Sequence, residues 1–141
     1  MNPEYWGSSC WKFLNCVVLN YPKYPSEYDQ IKYKNFFTSL QYVIPCKLCS
    51  DNYLRHLYDK PLTKEVLSSR YNLLLWLIDI HNEVNKENNK PILKYEDAIN
   101  YMYNDYDNFM NNDDSNNNIT LYIIIIIILV LLFAFIYYKF K

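Results

Sequence analysis

Residues 69–89 read "SRYNLLLWLIDIHNEVNKENN". Between Leu73 and Ile80 only Asp79 is polar. The run reads as a helix of about twenty residues, the most apolar before residue 104, and Pro91 stops it. Its polar end, from His81 onward, is the part that asks for a function. Working outward, the rest of the chain is also read as helical. Gly7 is the only glycine in 141 residues. A β-rich domain of this size needs several glycines for turns and bulges. Strand-like alternation is scarce and helical spacing is common.

A first helix is expected over about Pro3–Tyr21, opened by proline and ended by Pro22. Trp6, Trp11, Phe13, Leu14, Val17, Val18 and Tyr21 give it a broad apolar face. A second follows Ser26, a candidate N-cap with Asp29 three residues on, and runs to Pro45. A third starts at Pro45–Cys46 and stops near Pro61. A short fifth is expected over Tyr95–Tyr103. The prediction is an all-α fold, a small four-helix bundle with a short fifth helix. No internal repeat is present.

The last fifth differs. Residues 119–138 read "ITLYIIIIIILVLLFAFIYY", without charge or proline. Twenty such residues at ~1.5 Å each span ~30 Å, the thickness of a bilayer core. Tyr122, Tyr137 and Tyr138 suit the two interfaces. A C-terminal transmembrane helix is therefore predicted over 119–138. Before it, residues 104–118 are rich in Asn and Asp and read as a polar tether. That leaves residues 1–103 as one folded domain. No N-terminal signal peptide is expected. An anchor this close to the C-terminus points to a single-pass protein with its domain in the cytosol. Lys139 and Lys141 beyond the anchor argue for the reverse under the positive-inside tendency; the cytosolic arrangement is the expectation. Residues 1–94 carry twelve Lys and Arg against nine Asp and Glu, without a concentrated basic patch. Nucleic-acid binding is not expected.

Cys46 and Cys49, in "IPCKLCS" (44–50), could exchange disulfides, hold a metal, or fill a core. With Pro45 in the first turn, the two thiols share one face at i and i+3. The helix dipole and Lys47 favour thiolate over thiol. A metal needs two more ligands. Cys10 and Cys16 lie about 240° apart around a helix, and His56 and His81 lack a zinc spacing, so no metal site is expected. Cys10 and Cys16 are too far apart to bridge each other and are read as small, buried or semi-buried residues. A dithiol pair still needs an electron acceptor, such as a flavin.

Three stretches, "WGSSCWKFLNCVVLNYP" (6–22), "FFTSLQYVIPCKLCSDNYLRHL" (36–57) and "LLLWLIDIHNEVNKENNKP" (73–91), occur in one order. Together they resemble the ERV/ALR family of FAD-linked sulfhydryl oxidases, including its versions from large DNA viruses. The resemblance covers residues 5–95. It rests on W-G-x-x-x-W ending in Y-P, then P-C-x-x-C, then H-N-x-V-N with a following K-P. It implies a helical bundle with FAD in its mouth and a homodimer. Gly7 and Trp11 would line the cofactor from the first helix, and His81, Asn82 and Asn85 from the fourth. Lys90 would sit near its phosphates. Cys46 would meet a thioredoxin-like or other dithiol protein substrate, and Cys49 the flavin. Oxygen would take the electrons as hydrogen peroxide. A virion or internal host membrane would hold the anchor. Two departures stand out. Asn15 occupies a position where the family often has histidine. The structural cysteine pair that many cellular members carry around H-N-x-V-N is missing. The competing reading is a non-enzymatic, membrane-tethered helical adaptor with a structural or zinc-binding Cys46–Cys49 pair.

Overall fold

The computed structural model describes the backbone of residues 1–139 and the side chains of 1–108, 121–132 and 134–139. The side chains of most of the expected tether, and Lys141, lie outside the described residues. Five α-helices follow one another: α1 (Pro3–Leu19), α2 (Glu27–Val43), α3 (Lys47–Asp59), α4 (Arg70–Glu87) and α5 (Tyr95–Lys139). A single 3₁₀ turn, Val66–Ser68, precedes α4. No strand occurs among the described residues, in agreement with the all-α reading.

Local chemistry accounts for most of the boundaries. The Asn2 side chain accepts from the Glu4 N–H at the start of α1, with Pro3 in the first turn, where its missing N–H costs nothing. Ser26 and Asp29 form a reciprocal capping box at α2, as expected. Ile44 ends α2 in extended backbone (φ −57°, ψ 120°). The ring of the next residue, Pro45, disfavours helical backbone there. Pro45 does not enter α3, contrary to expectation. Cys46 is the N-cap and Lys47 the first helical residue.

α4 is the centre of the first compact unit, Met1–Ile99. Leu73, Leu74, Trp76, Leu77, Ile78 and Ile80 are all buried. A helix apolar around most of its circumference must be covered from several sides. α1 and the 3₁₀ turn pack on it, while α2 packs on α3. Trp76 meets Phe37 of α2 edge to face at 5.1 Å, and its Nε1–H donates to the Lys60 carbonyl at 2.9 Å. The Tyr53 hydroxyl donates to the Phe37 carbonyl, joining α3 to α2. The fully buried Tyr21 donates to the Leu67 carbonyl at 2.8 Å, pinning the approach to α4.

The second unit is Asn100–Lys141. The helix starting at Tyr95 does not stop at Tyr103 but continues to Lys139. The sequence supplies no proline or glycine between 95 and 139 to interrupt it. Leu121–Lys139 has a mean hydropathy of 3.0 and is long and apolar enough to cross a membrane.

Packing on α4 outweighs any single cap. Leu77→Ala should cost about 2–5 kcal/mol, against about 1 kcal/mol for Ser26→Ala. Denaturant titration of the detergent-solubilised chain reads both; the reverse order would place the core elsewhere.

Candidate functional site

Two chemistries lie on the surface around α4. One is the disulfide joining Cys46 to Cys49 at the N-terminus of α3, with Cα atoms 5.2 Å apart. Both residues are half-buried, so exposure does not distinguish Cys46 from Cys49. The Cys49 backbone N–H points at Cys46 Sγ, 3.2 Å away. An N-cap position next to free helical N–H groups favours negative charge on that sulfur. Lys47 contributes less than expected, because its ammonium pairs with Asp51 of the next turn.

The other is a ring pair. Trp11 of α1 and His81 of α4 stack with centroids 3.8 Å apart and planes within 7°. Burial, and second the positive charge of Lys90, push the His81 pKa down to about 4. His81 is therefore neutral at physiological pH and offers a flat, uncharged face. Lys90 is brought close by the way α4 ends. Asn89 takes a left-handed φ of 52°. The Lys90 N–H then returns to the Asn85 carbonyl (2.8 Å) and the Asn89 N–H to the Lys86 carbonyl (3.2 Å). This is a Schellman closure with asparagine in place of glycine.

Of the residues expected at a cofactor site, Trp11, His81 and Lys90 come together. Asn85 is buried one turn beyond His81 on the same face. Its side chain makes no hydrogen bond to the described residues. Asn82 is different, since both ends of its amide are committed to the backbone of Leu93, at 3.0 and 2.8 Å. Beside Gly7 the space is open, and an added Cβ would meet no atom within 4 Å. Glycine in a helix costs about 1 kcal/mol relative to alanine, and no packing inside the chain requires it here. No hydrogen bond or ring contact joins the Cys46–Cys49 pair to Trp11–His81 among the described residues.

α1 is nevertheless turned toward both. Cys10 raises the pKa of Tyr53, a buried residue one turn beyond Cys49, though burial is the larger cause. The next residue along, Trp11, faces His81. Burial likewise raises the Cys10 thiol. Cys10 is half-buried, as expected, whereas Cys16 is exposed, on the outward side of α1.

Two buried polar atoms of α1, Trp6 Nε1 and Asn15 Oδ1, have no hydrogen-bond partner. Buried polar groups are normally paired, so these are open valences for a ligand. Asn15 lies one turn beyond Trp11 on the same face. A stacked ring pair, an unpaired acceptor one turn along α1, a nearby cation and a glycine-cleared helix suit a planar, anionic ligand. Trp6 appeared in the sequence only as an apolar residue, and nothing in its spacing marks its N–H as unpaired. Another cluster unmarked by motif is Glu87, which receives Asn52 at 2.9 Å and Arg55. The buried His56 lies 3.3 Å away without hydrogen-bond alignment. These contacts tie α3, which carries the disulfide, to the end of α4.

The family model of the Erv1 / Alr family matches residues 8–106. The chain belongs to the Erv1 / Alr family. Among relatives, a protein of Acanthamoeba polyphaga mimivirus described as a probable FAD-linked sulfhydryl oxidase is 52% identical over 99 residues, covering 70% of this chain and 69% of that protein. The mitochondrial FAD-linked sulfhydryl oxidase ERV1 of Saccharomyces cerevisiae is 30% identical over 88 residues. The match covers 62% of this chain but only 45% of the yeast protein. The crystal structure of the yeast Erv1 core superimposes with a TM-score of 0.64 at 26% identity, over 70% of this chain and 80% of the other. The FAD binding domain of yeast Erv1 gives the same TM-score of 0.64 and is covered to 90%.

The His81 environment has a measurable consequence. Its folded pKa lies below the unfolded value of 6.5. Between the two, the unfolded chain binds more protons. This stabilising contribution is therefore complete above about pH 6.5 and is lost as pH falls toward 4. In an NMR titration of the ligand-free protein, Lys90→Ala should raise the His81 midpoint. An unmoved midpoint would mean that Lys90 is not held beside the ring.

Proposed function

We propose that the protein is a membrane-anchored, FAD-dependent thiol oxidase that makes disulfides in protein substrates. The observation carrying this reading is a disulfide at a helix N-terminus together with a stacked Trp11–His81 pair and a partnerless Asn15 Oδ1 one turn further along α1. Membership of the Erv1 / Alr family supports the chemistry, as do the names of its relatives.

A substrate thiolate attacks Cys46 Sγ. The Cys46–Cys49 bond breaks, and Cys49 leaves as a thiolate. The second substrate thiolate attacks the substrate sulfur of the mixed disulfide, and Cys46 leaves. The Cys49 N–H stabilises that departing charge. The substrate departs as a disulfide, and its two electrons remain on the reduced Cys46–Cys49 pair. Bound there, FAD would supply the two-electron acceptor chemistry, so that overall two thiols and O2 would give a disulfide and H2O2. Trp11 and the neutral His81 would hold the ring system by its flat face. Asn15, Asn85 and Trp6 would satisfy its polar edges, and Lys90 would offset the charge of its phosphates. Gly7 would let them approach α1. Asn82 would act indirectly, through Leu93.

The natural substrate would be a thioredoxin-like or other dithiol protein. A homodimer belongs to the same reading, supported by the resemblance and by apolar side chains left exposed on α1 and α2, such as Phe13 and Ile31. Leu121–Lys139 would anchor the protein in a membrane, with the polar stretch before it as spacer.

The detergent-solubilised full chain should purify yellow, with an absorption band near ~450 nm, and should consume oxygen with dithiothreitol. Cys46→Ser and Cys49→Ser should each keep the colour and lose turnover to background; Trp11→Ala should lose colour. A folded, colourless protein that consumes no oxygen would support the adaptor reading instead. Deleting residues 121–139 should release the domain from membranes; continued sedimentation with them would remove the anchor from the proposal.

A further inference from the structure

Beyond α4 the chain doubles back along the helix it has just left. Three ties hold it, each about one turn from the next. The Lys90 N–H donates to the Asn85 carbonyl at 2.8 Å. The Asn82 amide donates to the Leu93 carbonyl and accepts the Leu93 N–H, at 3.0 and 2.8 Å. The Tyr95 hydroxyl donates to Asp79 Oδ1 at 2.6 Å. Positions 85, 82 and 79 climb α4 in steps of three, or ~4.5 Å of rise. The returning chain meets them in reverse order at 90, 93 and 95.

The middle tie is made by a buried Asn82 and uses both hydrogen-bonding ends of the amide, so no other side chain of similar size satisfies both Leu93 groups. The last is short and has a carboxylate acceptor, the stronger kind of hydrogen bond. Lys90, between the ties, is close enough for its charge to act on His81. Residues 78–95 contain no cysteine.

We propose that residues 88–95 form a hydrogen-bonded latch, closed by Asn82 on Leu93 and Asp79 on Tyr95, that holds Lys90 near His81 and retains the cofactor whatever the thiol redox state. Asn82, Asp79 and Tyr95 are positioning residues. The inference rests on the thiol-oxidase reading, and it gives that site a closure its own substrates cannot reduce. A disulfide in this place would be exposed to the reductants that the enzyme consumes.

The latch is read on the full-length protein in detergent in two ways. In flavin-loaded protein, Tyr95→Phe should speed flavin dissociation a few-fold, and Asn82→Ala roughly tenfold or more. Asn82→Asp, which can still accept from the Leu93 N–H, should fall between wild type and Asn82→Ala. Tyr95 is well exposed (46%), so Tyr95→Phe should fold and melt like wild type. In flavin-free protein, hydrogen exchange at the Leu93 amide should accelerate in the Asn82 variants, and the His81 midpoint should rise in Tyr95→Phe as Lys90 is released. In flavin-free protein, dithiothreitol should leave Leu93 exchange unchanged. Unchanged flavin dissociation in all three variants, or Leu93 exchange hastened by dithiothreitol, would overturn the latch while leaving the oxidase reading intact. If the wild type binds no flavin, the oxidase reading fails, and Leu93 exchange and the His81 midpoint decide the latch alone.

Discussion

Everything in the first unit is arranged around the burial of α4. Six large apolar side chains within eight residues face several directions at once, and each contributes about 1.5–3 kcal/mol when removed from water. No single neighbouring helix could cover them. α1, the 3₁₀ turn and α2 through Trp76–Phe37 do so jointly. The same helix then turns polar at His81 without ending. It projects functional groups from a part of the molecule whose position is already determined by packing. Rings held this way lose little freedom on meeting a ligand, which is the condition for a preorganised site.

The disulfide is placed by another device. Proline ends α2, and the residue after proline caps α3, so the sulfur of Cys46 takes the place of a capping oxygen. That position lets the pair change redox state at a helix end, without breaking into a helix interior. The grip of Asn52 and Arg55 on Glu87 ties the lower part of α3 to α4. The two sulfurs thus sit at the free end of a helix that is held further along.

Much of this was legible in the sequence, because the signals are local. Helical periodicity, the Ser26–Asp29 box, the proline stops and the apolar C-terminal stretch all depend on neighbours within a turn or two. Three readings failed for physical reasons. Pro45 serves equally well just before an N-cap or in the first turn, and spacing alone does not choose. The fifth helix runs on past Tyr103 because the Asn and Asp that follow lower helix propensity but, without proline or glycine, do not end a helix. Cys16 looks like a buried residue by type, yet its position on α1 turns it outward. The site was legible as motif membership, but the division of labour within it was not. "HNEVN" marks Asn82 and Asn85 alike. Only the returning backbone, eleven residues on in Leu93, separates a residue bound to its own chain from one left for a ligand.

Asn89 carries a last consequence, which concerns the unfolded chain. Left-handed corners usually go to glycine, which adopts them without strain but gives up the most conformational freedom on folding. Asparagine reverses that balance. It bears some strain at φ 52°, softened by its short polar side chain, and wanders less when unfolded. The two effects are of similar size, on the order of 1 kcal/mol. A chain with one glycine, spent on its first helix, can therefore still turn sharply at the end of its central helix, with part of that turn already favoured before folding begins.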